Sequence, residues 1–319
     1  MNTTPLKLSS FAKINWSLRI IGKRPDGYHD LLTVLQTISL CDELEFRLRD
    51  DNQIVLHCDD PAIPTDETNL IVKAANALGR RLQSSRGAEI VLTKRIPAKG
   101  GLGGASANAA VTLLALNALW RKDLEPDHLD IIARDLGADI PFFLRGGRSI
   151  AIGTGTTVKA VHDQPKQHLV LITPNAKIST ADAYTSVNAP SLTTSESASI
   201  LSSSLADVLS ADSRQWPLRN DFERVIFEIE PEIERAKRAL LEAGARGALL
   251  AGSGSSVFGV FEDEASRDLA LDNLKCEAGW RVFSCETISR GEYFRAMNSS
   301  GFHFLRSLKT ANRQTDTGA

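Results

Sequence analysis

The sequence carries its strongest structural signal in the segment Pro97-Ala98-Lys99-Gly100-Gly101-Leu102-Gly103-Gly104-Ala105-Ser106-Ala107-Asn108. Apolar alternation predicts a strand over residues 88–92 before it, and helical spacing predicts a helix over residues 106–120 after it. Glycines let a backbone adopt positive φ and approach a ligand closely. The start of the helix would offer free N–H groups and the positive end of its dipole to an anion. The segment therefore predicts a loop that binds phosphate.

Two common phosphate-binding motifs do not match this segment. The Walker motif needs a Lys-Ser or Lys-Thr pair after the glycines, and none follows here. The dinucleotide motif G-x-G-x-x-G fails because Ser106 stands where its third glycine belongs. A flexible turn without a ligand is the alternative. Four glycines and a serine between a strand and a helix exceed what a connection needs, so we favour a phosphate loop of another type.

The bulk composition is that of an ordinary folded protein. Its 319 residues suffice for two domains or one large one, and 42% apolar with 24% charged residues is close to the average. A net charge of −2 gives no overall attraction to nucleic acid or to an anionic membrane. No apolar run approaches the roughly 18 to 20 residues that cross a bilayer. We therefore expect neither a nucleic-acid partner nor a membrane partner.

The cysteines and the first residues favour a reducing compartment. The four cysteines lie far apart without a C-x-x-C pair, at Cys41, Cys58, Cys276 and Cys285. This spacing argues against a disulfide framework or a zinc site. Residues 1–11 are polar and soon charged, unlike a secretory signal. We expect a cytoplasmic protein.

The pattern changes after residue 146. Further elements are predicted as strands over 149–152, 157–161, 168–173, 257–261 and 281–287 and as helices over 232–243 and 264–274. Residues 191–213 are rich in Ser, Thr and Ala and contain a weaker helical stretch over residues 200–209. We interpret them as a mobile connection or lid. From residue 291 onward no period is clear, so we expect a poorly ordered tail in which Phe302, Phe304 and Leu305 could dock on the body.

Four blocks of the sequence resemble known kinases. The glycine-rich segment resembles the GHMP kinase superfamily motif P-x-G-x-G-L-G-S/G-S-(S/A)-A, with Lys99 where Gly is usual and with Ala105 and Ala107 replacing a commoner Gly and Ser. The other blocks resemble one family within it, the 4-diphosphocytidyl-2-C-methyl-D-erythritol kinases. They are Ala12-Lys13-Ile14-Asn15 with Arg24-Pro25-Asp26-Gly27-Tyr28-His29, then Gly137-Ala138-Asp139-Ile140-Pro141-Phe142-Phe143, and then Ala251-Gly252-Ser253-Gly254-Ser255-Ser256-Val257-Phe258.

The resemblance implies an α+β protein with the two-domain GHMP kinase fold. An S5-like N-terminal domain would span residues 1–160 and a ferredoxin-like C-terminal domain residues 161–290, with the active site in the cleft between them. The implied reaction is phosphorylation by ATP of the 2-hydroxyl of 4-diphosphocytidyl-2-C-methyl-D-erythritol, with Mg²⁺, in the non-mevalonate isoprenoid pathway. The tail, residues 291–319, has no counterpart in the family.

The same resemblance assigns the chemistry to Asp139 and Lys13. Phosphoryl transfer needs positioning, charge neutralisation and a group that accepts the hydroxyl proton. Asp139 would be that base, and the alternative is an aspartate that caps a helix or shapes a turn. Lys13 would stabilise both the carboxylate and the developing alkoxide, and the alternative is a solvated strand lysine. Asn15 shares a strand face with Lys13 and would orient either group.

The acceptor's cytosine is assigned to a separate set of side chains. Tyr28 offers a flat ring, and His29 offers a donor and an acceptor. The alternative is a turn that merely exposes an aromatic side chain. The resemblance adds Tyr184 as a second aromatic against the base and Thr180 on the same segment, while a core or surface tyrosine is the alternative for Tyr184.

ATP is assigned to the glycine-rich segment as a whole. The residues implied are Pro97, Ala98, Lys99, Gly100, Gly101, Leu102, Gly103, Gly104, Ala105, Ser106 and Ala107. Ser106 could contact a phosphate or Mg²⁺, or simply cap the helix. Lys99 could add a cation near the phosphates or point into solvent. The turn at residues 252–256 is expected to close the cleft beside this segment.

Three other functions compete with this interpretation. Another GHMP kinase, acting on mevalonate-type, homoserine or sugar substrates, would have no base for the block at residues 25–29 to stack on. RNA binding by the S5-like half conflicts with the negative net charge of the chain. It also conflicts with the lack of a row of Lys and Arg residues interleaved with aromatic residues. A nicotinamide-dependent oxidoreductase conflicts with the failed dinucleotide motif.

Overall fold

The computed structural model describes residues 5–84, 86–121, 124–176, 178–187, 189–210 and 217–298. Its strands are β1 Leu6–Lys23, β2 His29–Arg49, β3 Ile54–Cys58, β4 Gly87–Thr93, β5 Arg148–Gly153, β6 Thr157–Ala160, β7 His168–Thr173, β8 Arg219–Asn220, β9 Gly247–Leu250, β10 Val257–Phe261 and β11 Arg281–Glu286. Its helices are α1 Leu70–Leu82, α2 Gly104–Leu119, α3 Pro126–Leu136, α4 Ile140–Phe143, α5 Thr180–Ser186, α6 Thr194–Ser210, α7 Glu223–Ile229, α8 Pro231–Glu242, α9 Glu264–Asn273 and α10 Arg290–Asn298.

The first sheet is built around the long antiparallel pair β1 and β2. Its strands run in the order β3-β4-β2-β1-β8, and β5 pairs with β2 and with β6. The register of β1 on β2 shifts between Phe11 and Lys13 and again between Asn15 and Ser17. Such bulges bend a strand and change where its side chains point. The segment with Lys13 and Asn15 therefore lies between two bends.

The second sheet has the ferredoxin-like arrangement. Its order is β11-β7-β10-β9 and every pair is antiparallel. With α8 between β7 and β9, and α9 between β10 and β11, the chain order is βαββαβ. Along β7, Val170 and Ile172 pack with the helices, whereas Leu169 and Leu171 pack towards β1. This period of two buries both faces of the strand.

Helix α2 is the centre of the largest core cluster. Its residues are buried on every side, which is typical of a helix inside a layer rather than on a surface. The small residues Ala107, Ala109 and Ala110 let it pack closely against β1, α1 and α4. The helix begins at Gly104, two residues before the predicted start.

Within residues 191–213, the helical stretch predicted over residues 200–209 is part of a longer helix, and the mobile connection or lid stays a prediction. Helix α6 occupies most of this stretch, and Leu201 and Leu205, one turn apart, pack on the cluster that contains Ile21. The Ser197 hydroxyl donates a hydrogen bond to the buried carboxylate of Asp30. Residues 211–213 lie outside the described residues. Since α6 and β8 both lie on the first sheet, the chain returns to that sheet after residue 160, and the domain boundary there stays a prediction.

The expectation of a poorly ordered tail is wrong for residues 291–298. Helix α10 lies there, and Tyr293 is fully buried. Its hydroxyl donates to the Phe143 carbonyl over 2.5 Å, and its ring centroid lies 5.8 Å from that of Phe11. Residues 299–319, including the predicted docking residues Phe302, Phe304 and Leu305, lie outside the described residues.

Two broader expectations can be compared with the described part of the chain. None of its helices is both long enough and apolar enough to cross a bilayer. All four cysteines are free thiols.

Candidate active site

One cleft brings the four sequence blocks together. A cavity of about 1290 Å³ lies between the glycine-rich segment, the middle of β1, the start of α4, helix α5 and the turn after β9. Every side chain or backbone segment predicted for the site lines this cavity except Ala107, which is buried beneath it in α2. The cavity is large enough to hold two ligands side by side.

Lys13 and Asp139 face each other across the cleft. Lys13 Nζ lies 3.6 Å from Asp139 Oδ2 and donates a hydrogen bond of 2.7 Å to Asn15 Oδ1. The Asn15 amide in turn donates to the Thr33 hydroxyl over 2.8 Å. The Lys13 side chain is 5% exposed and that of Asp139 39%. The pair thus combines a buried, oriented ammonium with a carboxylate that a substrate can reach.

The helix-capping alternative for Asp139 and the solvated-strand alternative for Lys13 do not fit the structure. Asp139 stands at the N-cap of α4, but its side chain makes no capping hydrogen bond. Lys13 is buried rather than solvated, because its neighbours Ala12 and Ile14 pack towards the second sheet and turn it to the other face of β1. The Lys13 N–H also donates to the Leu102 carbonyl over 2.9 Å, so β1 is tied directly to the glycine-rich segment.

The glycine-rich segment needs its glycines for two physical reasons. Gly101 and Gly103 have φ of 74° and 72°, in the left-handed region. A Cβ on Gly101 would lie 2.0 Å from the Ala251 carbonyl oxygen, and one on Gly103 would lie 2.8 Å from the Phe143 ring. The segment is therefore packed tightly between α4 and the turn after β9.

The first turn of α2 is open to an anion. Gly103 is the N-cap and supplies no side-chain acceptor, so the N–H groups of that turn are left for a ligand. Ser106 lies inside the helix, which excludes it as the cap. Lys99 has a φ of 59°, is exposed and lines the cavity.

The turn after β9 closes the cleft beside this segment, as expected. A Cβ on Gly252 would lie 3.0 Å from the Gly101 carbonyl oxygen and 3.3 Å from Lys13 Nζ. Asn220 holds the turn, because its amide donates to the carbonyls of Leu250 and Gly252 over 2.9 and 2.7 Å. Asn220 has no recognisable motif in the sequence, since its role depends on the pairing of β8 with β1.

The aromatic residues gather at the other end of the cleft. The rings of His29 and Tyr184 stack with centroids 5.1 Å apart and planes at 29°, and Tyr184 meets Phe222 edge-on at 4.9 Å. Tyr28 is 68% exposed beside them. Burial raises the pKa of Tyr184 to about 12, and the charge of Asp139 adds to this shift. Burial and the nearby Lys23 lower the pKa of His29, so its ring is neutral at neutral pH.

Thr180 belongs to the same end of the site. Its hydroxyl lies 3.1 Å from that of Ser253, which places the start of α5 against the turn after β9. Asp139 and Thr180 therefore both line the cavity.

A second lobe of the cavity was not predicted from the sequence. This lobe is the part of the cavity lined by residues at the start of α1, at the end of β4 and in the adjoining segments. Its lining includes Ile63, Asn69, Ile71, Leu92, Lys94 and Pro97. These residues come from separate elements, and no local motif joins them.

Comparisons with known proteins identify the family to which this fold belongs. The GHMP kinases N terminal domain matches residues 69–147 and the GHMP kinases C terminal domain matches residues 198–279. Among solved structures, a 4-(cytidine 5'-diphospho)-2C-methyl-D-erythritol kinase is 31% identical with a TM-score of 0.72, over 88% of this chain and 98% of that one. A homoserine kinase from Cytophaga hutchinsonii, 20% identical with a TM-score of 0.66, shares the fold over 91% and 96% of the two chains.

Comparison with curated relatives narrows the match from the superfamily to one family. A 4-diphosphocytidyl-2-C-methyl-D-erythritol kinase of Syntrophus aciditrophicus is 41% identical over 283 residues, which are 89% of this chain and 99% of the relative. One from Citrifermentans bemidjiense is 38% identical over 286 residues, again 89% and 99%.

Fold and site together define a GHMP kinase, an ATP-dependent kinase of small molecules. The expected α+β fold of that class is confirmed. Within the class, the chain belongs to the family of 4-diphosphocytidyl-2-C-methyl-D-erythritol kinases.

Proposed function

We propose that this chain transfers the γ-phosphoryl group of ATP to the 2-hydroxyl of 4-diphosphocytidyl-2-C-methyl-D-erythritol. The observation that carries the proposal is the Lys13–Asp139 pair, 3.6 Å apart, between a phosphate loop and an aromatic pocket. The family relatives support the choice of acceptor, since their names state this substrate.

ATP would lie across the glycine-rich segment. Its phosphates meet the free N–H groups of the first turn of α2 and the positive end of that helix. Its adenine fits the lobe whose apolar walls are Ile63, Ile71 and Leu92. This arrangement directs the γ-phosphate towards the middle of the cleft, where Lys13 and Asp139 stand.

The acceptor would enter from the opposite end. Tyr28 is free to cover one face of the cytosine, and Tyr184 offers the other face once its stack with His29 opens. The neutral His29 ring supplies one donor and one acceptor to the edge of the base. Thr180 and Asn15 line the path from the base to the reacting hydroxyl.

The chemical step needs few groups. Asp139 accepts the proton of the 2-hydroxyl as its oxygen attacks the γ-phosphorus, and the bond from that phosphorus to the β–γ bridging oxygen breaks to release ADP. Lys13 stabilises the negative charge on the attacking oxygen. Asn15 holds the Lys13 ammonium in place through their 2.7 Å hydrogen bond.

Magnesium would be bound mainly through the nucleotide. The described residues contain no group of three or more His, Cys, Asp or Glu side chains arranged for a metal. Mg²⁺ in kinases commonly takes phosphate oxygens, waters and one or two protein oxygens. Ser106 lines the cavity, and its hydroxyl oxygen fits that need. When bound, Mg²⁺ neutralises charge on the β- and γ-phosphates.

We also infer that the enzyme works in the cytoplasm. Its four cysteines are free thiols, which a reducing compartment preserves.

A single assay tests the proposed reaction. ADP release from ATP and Mg²⁺ is measured with 4-diphosphocytidyl-2-C-methyl-D-erythritol, with mevalonate, with homoserine and without an acceptor. We expect turnover only with the cytidine compound. Turnover with mevalonate or homoserine alone would reassign the acceptor, and ATP consumption that no acceptor changes would refute the function.

A further inference from the structure

A fully buried carboxylate lies directly behind the phosphate loop. Asp42, in β2, is 0% exposed. Its Oδ1 accepts hydrogen bonds from the N–H groups of Arg95 and Ile96 over 2.7 and 2.8 Å. Its Oδ2 accepts one from the Asn108 side chain over 2.9 Å and lies 3.0 Å from Lys94 Nζ. All these donors belong to the segment that leads into the loop or to the helix that follows it.

The position of Asp42 ties three elements together. Arg95 and Ile96 immediately precede Pro97, where the loop begins, and Asn108 lies in the second turn of α2. Asp42 itself belongs to β2, one residue before β2 starts to pair with β4. A single carboxylate therefore fixes both ends of the phosphate loop to the central strand of the first sheet.

Stabilisation of the fold does not by itself explain why a charged residue occupies position 42. A buried ion pair pays a desolvation penalty, and apolar residues of similar volume often stabilise a core equally well. A network of charge-assisted hydrogen bonds instead fixes geometry, because each donor has a preferred distance and direction. The geometry fixed here is that of the nucleotide-binding loop.

Asn108 connects this network to the cavity. It is 2% exposed, and its Nδ2 is used by Asp42. Only the amide nitrogen can donate to a carboxylate, so the orientation of the amide is determined. Its Oδ1 has no hydrogen-bond partner among the described residues, and Asn108 is one of the residues that line the cavity. A buried acceptor without a partner is costly unless a ligand supplies the donor.

We propose that Asp42 is a positioning residue for ATP, which fixes the phosphate loop and turns Asn108 so that its Oδ1 accepts a hydrogen bond from the nucleotide. The donors of ATP are its adenine amino group and its ribose hydroxyls, since the ionised phosphates have none. The proposal rests on the proposed function because it requires ATP in this cleft.

The test uses Asp42→Asn, Asn108→Ala and the double variant. We expect each single change to weaken binding of a non-hydrolysable ATP analogue about tenfold, as the loss of one charge-assisted or buried hydrogen bond implies. The KM for the cytidine substrate stays within about twofold. The double variant should be little weaker than either single one, because Asp42 acts partly through Asn108.

A control separates positioning from stability. Asp163 also accepts backbone N–H groups, from Arg148 and Arg290, but lies outside the cavity lining. Asp163→Asn should lower the melting temperature without changing the affinity for the analogue. If Asp42→Asn weakens both ligands equally, or if folded Asn108→Ala binds the analogue normally, the proposal is wrong. Calorimetry measures binding of the ATP analogue without the phosphoryl acceptor. Failure of the positioning role can therefore be distinguished from failure of the proposed reaction in the ADP-release assay.

Discussion

The Asp139 carboxylate makes no helix-capping hydrogen bond, and the buried Lys13 ammonium lies 3.6 Å from it. Asp139→Asn keeps the size of the side chain but removes the base, so we expect kcat to fall by roughly 10² to 10⁴. Binding of the ATP analogue should change little. The measurement is steady-state kinetics of the folded variant, with Asp135→Asn as the control, since Asp135 is an exposed carboxylate at the rim of the same cleft. Near-normal turnover of Asp139→Asn would exclude it as the base.

Tyr28 is exposed, so its ring is available to a ligand at little cost to the fold. Tyr28→Ala should cost about 1 to 3 kcal/mol of cytidine-substrate binding by the loss of one stacking face. Tyr28→Phe should be mild because the ring remains. KM should rise more than kcat falls, as expected for lost uniform binding. An unchanged KM in Tyr28→Ala together with weaker ATP binding would show that the base pocket is misassigned.

His29 predicts a pH dependence. Burial and Lys23 lower its pKa below the ordinary value of 6.5, so the folded chain takes up this proton less readily than the unfolded chain. The contribution of His29 to the free energy of unfolding is therefore fully present above pH 6.5. It is lost as the pH falls from 6.5 through the lower pKa of the folded state. Protonation also removes the acceptor nitrogen. We expect KM for the cytidine substrate to rise on acidification, and this rise should be absent in His29→Ala, which should also discriminate less between cytidine and uridine compounds.

At the scale of elements, the phosphate loop depends on close packing against α4. A Cβ on Gly103 would lie 2.8 Å from the Phe143 ring and 3.1 Å from Lys13 Cγ, at a φ that favours glycine. Gly103→Ala should weaken ATP binding measured by calorimetry and leave the cytidine substrate largely unaffected. Gly79→Ala is the matched control, because a Cβ there meets Trp120 at an ordinary 3.7 Å. Equal loss of both ligands would indicate a structural role for the loop.

At the scale of the whole molecule, α10 joins the end of the described chain to α4. Tyr293 donates to the Phe143 carbonyl, and Phe143 is the residue against which Gly103 packs. Tyr293→Phe leaves that buried carbonyl unpaired and should destabilise the fold by about 1 to 3 kcal/mol. Tyr293→Ala should cost about 3 to 5 kcal/mol because it also opens a cavity. Urea denaturation measures both, and equal midpoints for the two variants and the unaltered chain would mean that α10 does not stabilise the fold.

The sequence by itself determined the elements and blocks whose requirements are local. Positive φ at Gly101 and Gly103 needs glycine wherever these residues are found, so a glycine run between a strand and a helix could be interpreted without the fold. Alternation likewise predicted β7 and β10 close to their actual bounds, because the period of a strand is set by its own backbone. The residues of the proposed site were found through the resemblance of such short blocks to a family.

Tertiary structure decided everything that depends on distant partners. Asp42 meets Asn108 across 66 residues of sequence, Asn220 meets Gly252 across 32, and Tyr293 meets Phe143 across 150. The stack of His29 on Tyr184 and the second lobe of the cavity likewise join separate elements. Residue type and period act over a few neighbouring positions, whereas a buried polar group is stabilised only by the partner that folding brings to it. The same reason explains why residues 291–298, without a clear period, nevertheless form a docked helix.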